Sequence, residues 1–166
     1  MCGIVGLYLK NKKYNKDLGK FLTGMMNNMS TRGPDSAGFA IYSTERKKKY
    51  KYSICYNENN IKEIKKNLIK EIKDAKIKII SDHFVLETSL KPVKVVSIIK
   101  SYDNLSLVGY GSSIEIFKQV GNPRDVVNNF SLKNFSGTHA IGHTRMATES
   151  AITVSYTHLR AHETNL

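Results

Sequence analysis

The sequence predicts an α+β fold. The order read along the chain is strand, helix, two strands, helix, several strands, short helix, strand, so runs of strands outnumber alternating units and a doubly wound sheet is disfavoured. Two stretches have clear helical periodicity, while most of the remainder is short, β-branched and bounded by turn residues. The chain has 166 residues, of which 40% are hydrophobic and 24% charged. That is an ordinary globular mix, long enough to bury a substantial core.

Ile4 to Leu9 is a short apolar run and reads as a buried strand. Leu18, Phe21, Leu22, Met25 and Met29 form one stripe of a helix from about Asp17 to Met29. Thr31-Arg32-Gly33-Pro34-Asp35-Ser36 ends it with Gly and Pro. Ala37 to Ser43 reads as a strand, and Lys49 to Tyr56 as its hairpin partner, with Tyr50, Tyr52, Ile54 and Tyr56 alternating against polar positions. Asn60 and Glu63 resemble a capping box for an amphipathic helix marked by Ile61, Ile64, Leu68 and Ile72 and reaching about Ala75. Ile77–Ile80, Val93–Ile99, Leu105–Tyr110 and Ile114–Val120 read as β-rich pieces. Asn122-Pro123 starts a short helix through Phe130, and a strand follows from about Thr138 to Thr144.

The formal charge of +12 invites a nucleic-acid reading. The excess is mainly lysine, however, and accompanies abundant Asn, Ile and Tyr, which a solvated surface explains. The densest run, Arg46 to Lys49, falls at a turn. No nucleic-acid partner is expected. No apolar run approaches the roughly 20 residues of a membrane-spanning helix, so no membrane association is expected. The N-terminus lacks a basic segment ahead of its short apolar stretch, unlike a secretory signal. Two cysteines make no disulfide framework, and a reducing, cytoplasmic location is expected.

Cys2 is the informative position. When the initiator Met is removed, it carries a thiol and a free α-amine on one residue. Such an amine titrates at about 7.7–8.0 and a thiol at about 8.5, so the amine can take a proton near neutral pH while the sulfur attacks. No separate histidine is required. Gly3 and Gly6 leave room for a ligand near the backbone. Position alone still favours an inert small residue at a chain end. His139 and His143 lie on one face of a strand and read as pocket or core lining. Cys55, mid-strand among aromatics, reads as packing. No Cys/His cluster has zinc spacing, and no metal ligand is assigned. Gly109-Tyr110-Gly111 lacks the strand–glycine-loop–helix context of a dinucleotide site.

Three segments change the weighting of Cys2: MCGIVG at the start, TRGPDSAG at 31–38 and AIGHTRMAT at 140–148. Together, and in this order, they resemble the class II glutamine amidotransferases. These are N-terminal-nucleophile hydrolases in which two stacked antiparallel sheets lie between helical layers (αββα). The resemblance covers residues 1–44 and about 136–153; the middle matches in length alone. It implies that Cys2 attacks the glutamine side-chain amide, releasing ammonia and leaving a glutamyl thioester for water to hydrolyse. Arg145 matches the arginine that grips the glutamine α-carboxylate, for which a planar guanidinium suits two parallel hydrogen bonds. Thr148 matches a position lining the same pocket. Arg32 matches an arginine ordering the loop under the site, and Asp35 reads as a structural partner or N-cap there. The resemblance implies glutamine as substrate and no cofactor.

Two features depart from that pattern. The stretch from Arg32 to Arg145 exceeds that of the phosphoribosylamine- and glucosamine-forming members, as if an α+β segment were inserted at about 57–132. This points towards amidotransferase subunits of the glutamate-synthase and N-methylglutamate-synthase type. After the TRMAT motif, the family's His-Asn-Gly turn, which supplies the oxyanion hole, and its amine-binding Asp are missing. The chain instead ends SYTHLRAHETNL, which reads as adapter-derived. The expectation is an incomplete amidotransferase domain over 1–153 and a foreign tail over 154–166. The chain by itself should be nearly inactive, since losing one oxyanion donor costs about 10²–10³ in rate. A partner subunit or a missing C-terminal domain would receive the ammonia. The alternatives are an amidophosphoribosyltransferase-like or glucosamine-synthase-like fragment and, from another class, a basic module binding RNA or protein.

Overall fold

A computed structural model describes residues 2–45, 48–57 and 60–146. It contains two antiparallel four-stranded sheets and four α-helices, the α+β class expected. The described residues divide into two compact units, one formed by residues 2–44 and 116–146, the other by residues 45–115.

In the first unit, β1 (Gly3–Tyr8) leads through a 3₁₀ helix (Lys12–Asp17) into α1 (Leu18–Asn28), and β2 (Ser36–Tyr42) follows. The unit's sheet has the order β1-β8-β2-β7, with β7 at Ile114–Val120 and β8 at His139–Arg145. β8 therefore enters between two strands that precede it by a hundred residues. It is antiparallel to both: Gly3 faces Thr144 on one side and Ser36 faces Arg145 on the other.

Leu18, Leu22 and Met26 of α1 are fully buried. This line lies to one side of the expected stripe, leaving Phe21 45% exposed. Gly19 accounts for the rotation. Its N–H donates to the Phe135 carbonyl at 3.0 Å, and a side chain there would collide with the Leu132 carbonyl oxygen. Gly142 of β8 likewise leaves space that the Met26 sulfur fills. Phe39, Phe117, Phe130 and Phe135 form an aromatic cluster with several centroid separations of 5.2–5.8 Å. Phe39, Phe117 and Phe130, each fully buried, contribute about 1.5–3 kcal/mol apiece through burial. α4 (Pro123–Asn129) starts as expected, with Pro123 in its first turn and the Asn122 side chain accepting from the Arg124 N–H at 3.0 Å.

The second unit holds β3 (Tyr50–Tyr56), α2 (Ile61–Glu71), β4 (Lys76–Ile80), β5 (His83–Thr88), α3 (Pro92–Lys100) and β6 (Leu105–Gly111). Its sheet has the order β4-β5-β3-β6. Tyr52, Ile54, Phe84 and Leu86 share a core with Ile64, Leu68 and Ile72 and with Val95, Ile99 and Leu105. The opposite face of β3 is buried too, so Lys51, Ser53 and Cys55 are at most 7% exposed. Lys51 meets Glu115 there at 2.6 Å.

Four sequence expectations need correction. Val93–Ile99 is helix α3, not strand: Pro92 presets the first turn, and Val95 and Ile99, four apart, are buried while Val93 is 83% exposed. Its β-branched content is overridden by this 3.6-residue pattern. β5 went unread because its outward and inward residues are nearly all buried, which removes the alternation. β2 and β3 are not a hairpin; β2 lies between β8 and β7, and β3 between β5 and β6. Adjacency in sequence is only a prior for adjacency in a sheet. Finally, α2 ends at Glu71 rather than Ala75, and Asn60 bonds the Glu63 side chain at 2.5 Å instead of capping with its own side chain. Among the described residues no helix is long and apolar enough to cross a membrane.

Candidate active site

The antiparallel register of the first sheet brings the three recognised segments to one end of it. β1 begins at Gly3, directly after Cys2; β2 begins at Ser36, directly after the glycine–proline loop; β8 ends at Arg145. Since Gly3 pairs with Thr144 and Ser36 with Arg145, the start of one motif, the end of another and the end of the third meet along three neighbouring strands.

The loop is tied to β8 through its backbone. Pro34 forms an isolated bridge with Arg145, and the Asp35 N–H donates to the Arg145 carbonyl at 3.1 Å. The Asp35 carbonyl accepts from the Gly121 N–H at 2.8 Å. The Asp35 main chain thus ties the loop both to β8 and to Gly121. Gly33 is required by the closeness of this approach. A Cβ there would lie 2.6 Å from the Arg145 nitrogen and 2.7 Å from the Thr144 carbonyl carbon.

Cys2 is exposed at this sheet end. Arg145 is 8% exposed, its main chain clamped by the loop on one side and paired with β2. Arg32 is exposed in the turn after α1, where its N–H donates to the Met29 carbonyl at 3.0 Å. Thr148 lies outside the described residues, as does the tail at 154–166. His139 and His143 share a strand face by alternation. His143 is 6% exposed, and His139 stacks on Tyr42 with centroids 4.2 Å apart.

One residue of the site was not read from the sequence. Thr144 is fully buried, and its hydroxyl has no hydrogen-bond partner among the described residues. It sits between the two motif glycines, within 2.9 Å of where a Cβ on Gly3 or Gly33 would stand. It lies one position before Arg145, so alternation sends it to the other face of β8. An orphaned hydroxyl beside the main chain that follows Cys2 departs from the usual satisfaction of buried polar groups.

No family model matches the chain. Among curated proteins, it is 39% identical over 162 residues to "Glutamine amidotransferase-like protein GlxB" of Rhizobium meliloti (strain 1021), an alignment covering 95% of this chain and 54% of that protein. It is 29% identical over 173 residues to "Putative glutamine amidotransferase" of Methanothermobacter thermautotrophicus (strain ATCC 29096 / DSM 1053 / JCM 10044 / NBRC 100330 / Delta H), covering 95% of this chain and 56% of that one. The chain therefore spans about half the length of these relatives. Its three motifs and their shared sheet end lie within a sequence that is similar, over nearly all its length, to one protein described as glutamine amidotransferase-like and another described as a putative glutamine amidotransferase.

Proposed function

We propose that this chain carries the glutaminase half-site of a class II glutamine amidotransferase, with Cys2 as nucleophile. The supporting observation is the convergence of Cys2, the Gly33–Ser36 loop and Arg145 at one sheet end. After removal of Met1, the Cys2 α-amine takes the thiol proton and the sulfur attacks the glutamine side-chain carbonyl carbon. The tetrahedral adduct collapses with loss of the amide nitrogen, which leaves as ammonia after receiving the proton from the α-ammonium. A γ-glutamyl thioester remains. Water, deprotonated by the same amine, attacks it; glutamate departs and the thiol is restored.

Arg145 binds the substrate α-carboxylate, Thr148 lines the same pocket and Arg32 orders the loop. Partial burial of Arg145 strengthens a charge-assisted pair by lowering the local dielectric. In a protein of the relatives' length, the further residues supply the oxyanion hole and the amine-binding group. Ammonia passes to an acceptor site on a partner subunit or further domain, in a cytoplasmic enzyme of the glutamate-synthase type.

The test uses the protein extended to its relatives' length. Intact-mass analysis should show Met1 absent. Cys2→Ser should abolish glutamate release from glutamine while leaving ammonia-dependent synthesis intact, because ammonia enters after the thiolate step. Retention of Met1, or equal loss of both activities in a folded variant, overturns the assignment.

A further inference from the structure

A second cluster of reactive side chains lies in the Glu45–Glu115 unit and takes no part in the site above. β3 pairs with β5 so that Cys55 stands opposite His83, and their side chains leave the same face of the sheet. Asp82, in the turn between β4 and β5, places its Oδ1 2.8 Å from His83 Nδ1. The turn is held in register by Tyr56, whose N–H donates to the Asp82 carbonyl at 3.0 Å and whose hydroxyl donates to the Ser81 carbonyl at 2.8 Å. Ser81 adopts a left-handed conformation with φ of 55° to close it. One donor atom from each of Cys55, Asp82 and His83 lies within 4.8 Å of the other two.

We propose that Cys55, Asp82 and His83 form a three-ligand site for a divalent transition metal of the zinc type. The donor set selects the class: thiolate and imidazole suit zinc and its neighbours, whereas magnesium and calcium need oxygen shells. Three protein ligands leave a fourth position open. Access is through the aspartate. The His83 side chain is fully buried and Cys55 is 5% exposed, but the Asp82 side chain is 35% exposed. Binding is a proton exchange: the metal–sulfur bond replaces the S–H bond, and the thiol proton leaves to solvent. The bound ion ties the β4–β5 turn to β3. Without an ion, the same geometry is a packed thiol beside a hydrogen-bonded Asp–His pair, and the two readings separate experimentally.

The experiment takes the full chain carrying Cys2→Ser, reduced and freed of metal, and titrates it with Co²⁺. Cys55 is then the sole thiol of this chain, so a sulfur-to-cobalt charge-transfer band reports it alone, whether or not any Cys55 variant folds. The expected result is a band saturating near one equivalent and displaced by Zn²⁺. His83→Gln in the same background should weaken Co²⁺ binding by at least about 10-fold, the lower end of what is lost when a group that merely hydrogen-bonds a metal ligand is removed. Should His83→Gln fail to fold by circular dichroism, Asp82→Asn at the more exposed position gives the same comparison. Absence of the band at several equivalents of Co²⁺, or a band unchanged in the folded ligand variant, overturns the proposal.

Discussion

Gly33→Ala is the substitution that most directly tests the loop clamp. The added methyl would stand 2.6 Å from the Arg145 nitrogen, 2.7 Å from the Thr144 carbonyl carbon and 2.8 Å from the Thr144 hydroxyl. Two of these are main-chain atoms of the central strand β8, so they cannot rotate away. Relief requires the loop to lift, and the bonds at risk are the Pro34–Arg145 bridge and the Asp35 N–H bond to the Arg145 carbonyl. Overpacking of this kind costs about 1–3 kcal/mol, with about another 1 kcal/mol for a lost hydrogen bond. At roughly 2–4 °C per kcal/mol for a chain of this size, the melting temperature should fall by about 4–16 °C. Gly6→Ala is the control, because nothing lies within 4 Å of its Cβ position. There the alanine should be neutral or stabilising, by up to about 1 kcal/mol. The assay is thermal unfolding by circular dichroism on wild type and both variants. Equal melting temperatures for Gly33→Ala and wild type would refute the close approach of loop to strand.

Arg145→Lys should lower kcat/KM for glutamine in the extended protein by about 10- to 150-fold, the worth of a charge-assisted bond of about 1.5–3 kcal/mol. Arg124→Lys on α4 serves as control in steady-state kinetics, and equal small effects would withdraw Arg145 from the pocket. Thr144→Val should leave stability unchanged or raise it by about 1–3 kcal/mol in denaturant unfolding, because the buried hydroxyl has no bond to lose among the described residues; a comparable loss would reveal a partner. Cys2 should be alkylated rapidly at pH 8 and Cys55 only slowly, since Cys2 is exposed whereas burial and the nearby Asp82 carboxylate push the Cys55 thiol up to about 11. The raised value means the folded state holds the Cys55 proton longer than the unfolded chain does. Its contribution to stability is therefore complete below about pH 9 and lost as pH rises towards 11. Equal alkylation rates, followed by mass spectrometry, would contradict this.

Local chemistry made much of this protein readable from its sequence. The helix breaker Gly33-Pro34, the Asn122-Pro123 helix start and the aromatic alternation of β3 each act within a few residues, where steric and hydrogen-bonding preferences decide conformation. Cys2 and Arg145 stand out in the sequence as candidates because their motifs are contiguous. Tertiary structure decided what depends on partners remote in sequence. β8 enters between β1 and β2, strands distant from it in sequence, and only that pairing brings Gly33 against Thr144 and Arg145. Val93–Ile99 became a helix because one side of it, Val95 and Ile99, had a core to fill, which outweighs β-branched propensity. Cys55 is buried, as its sequence context reads, but its neighbours Asp82 and His83 arrive through cross-strand register, and a one-residue slip of that register would turn His83 to the other face.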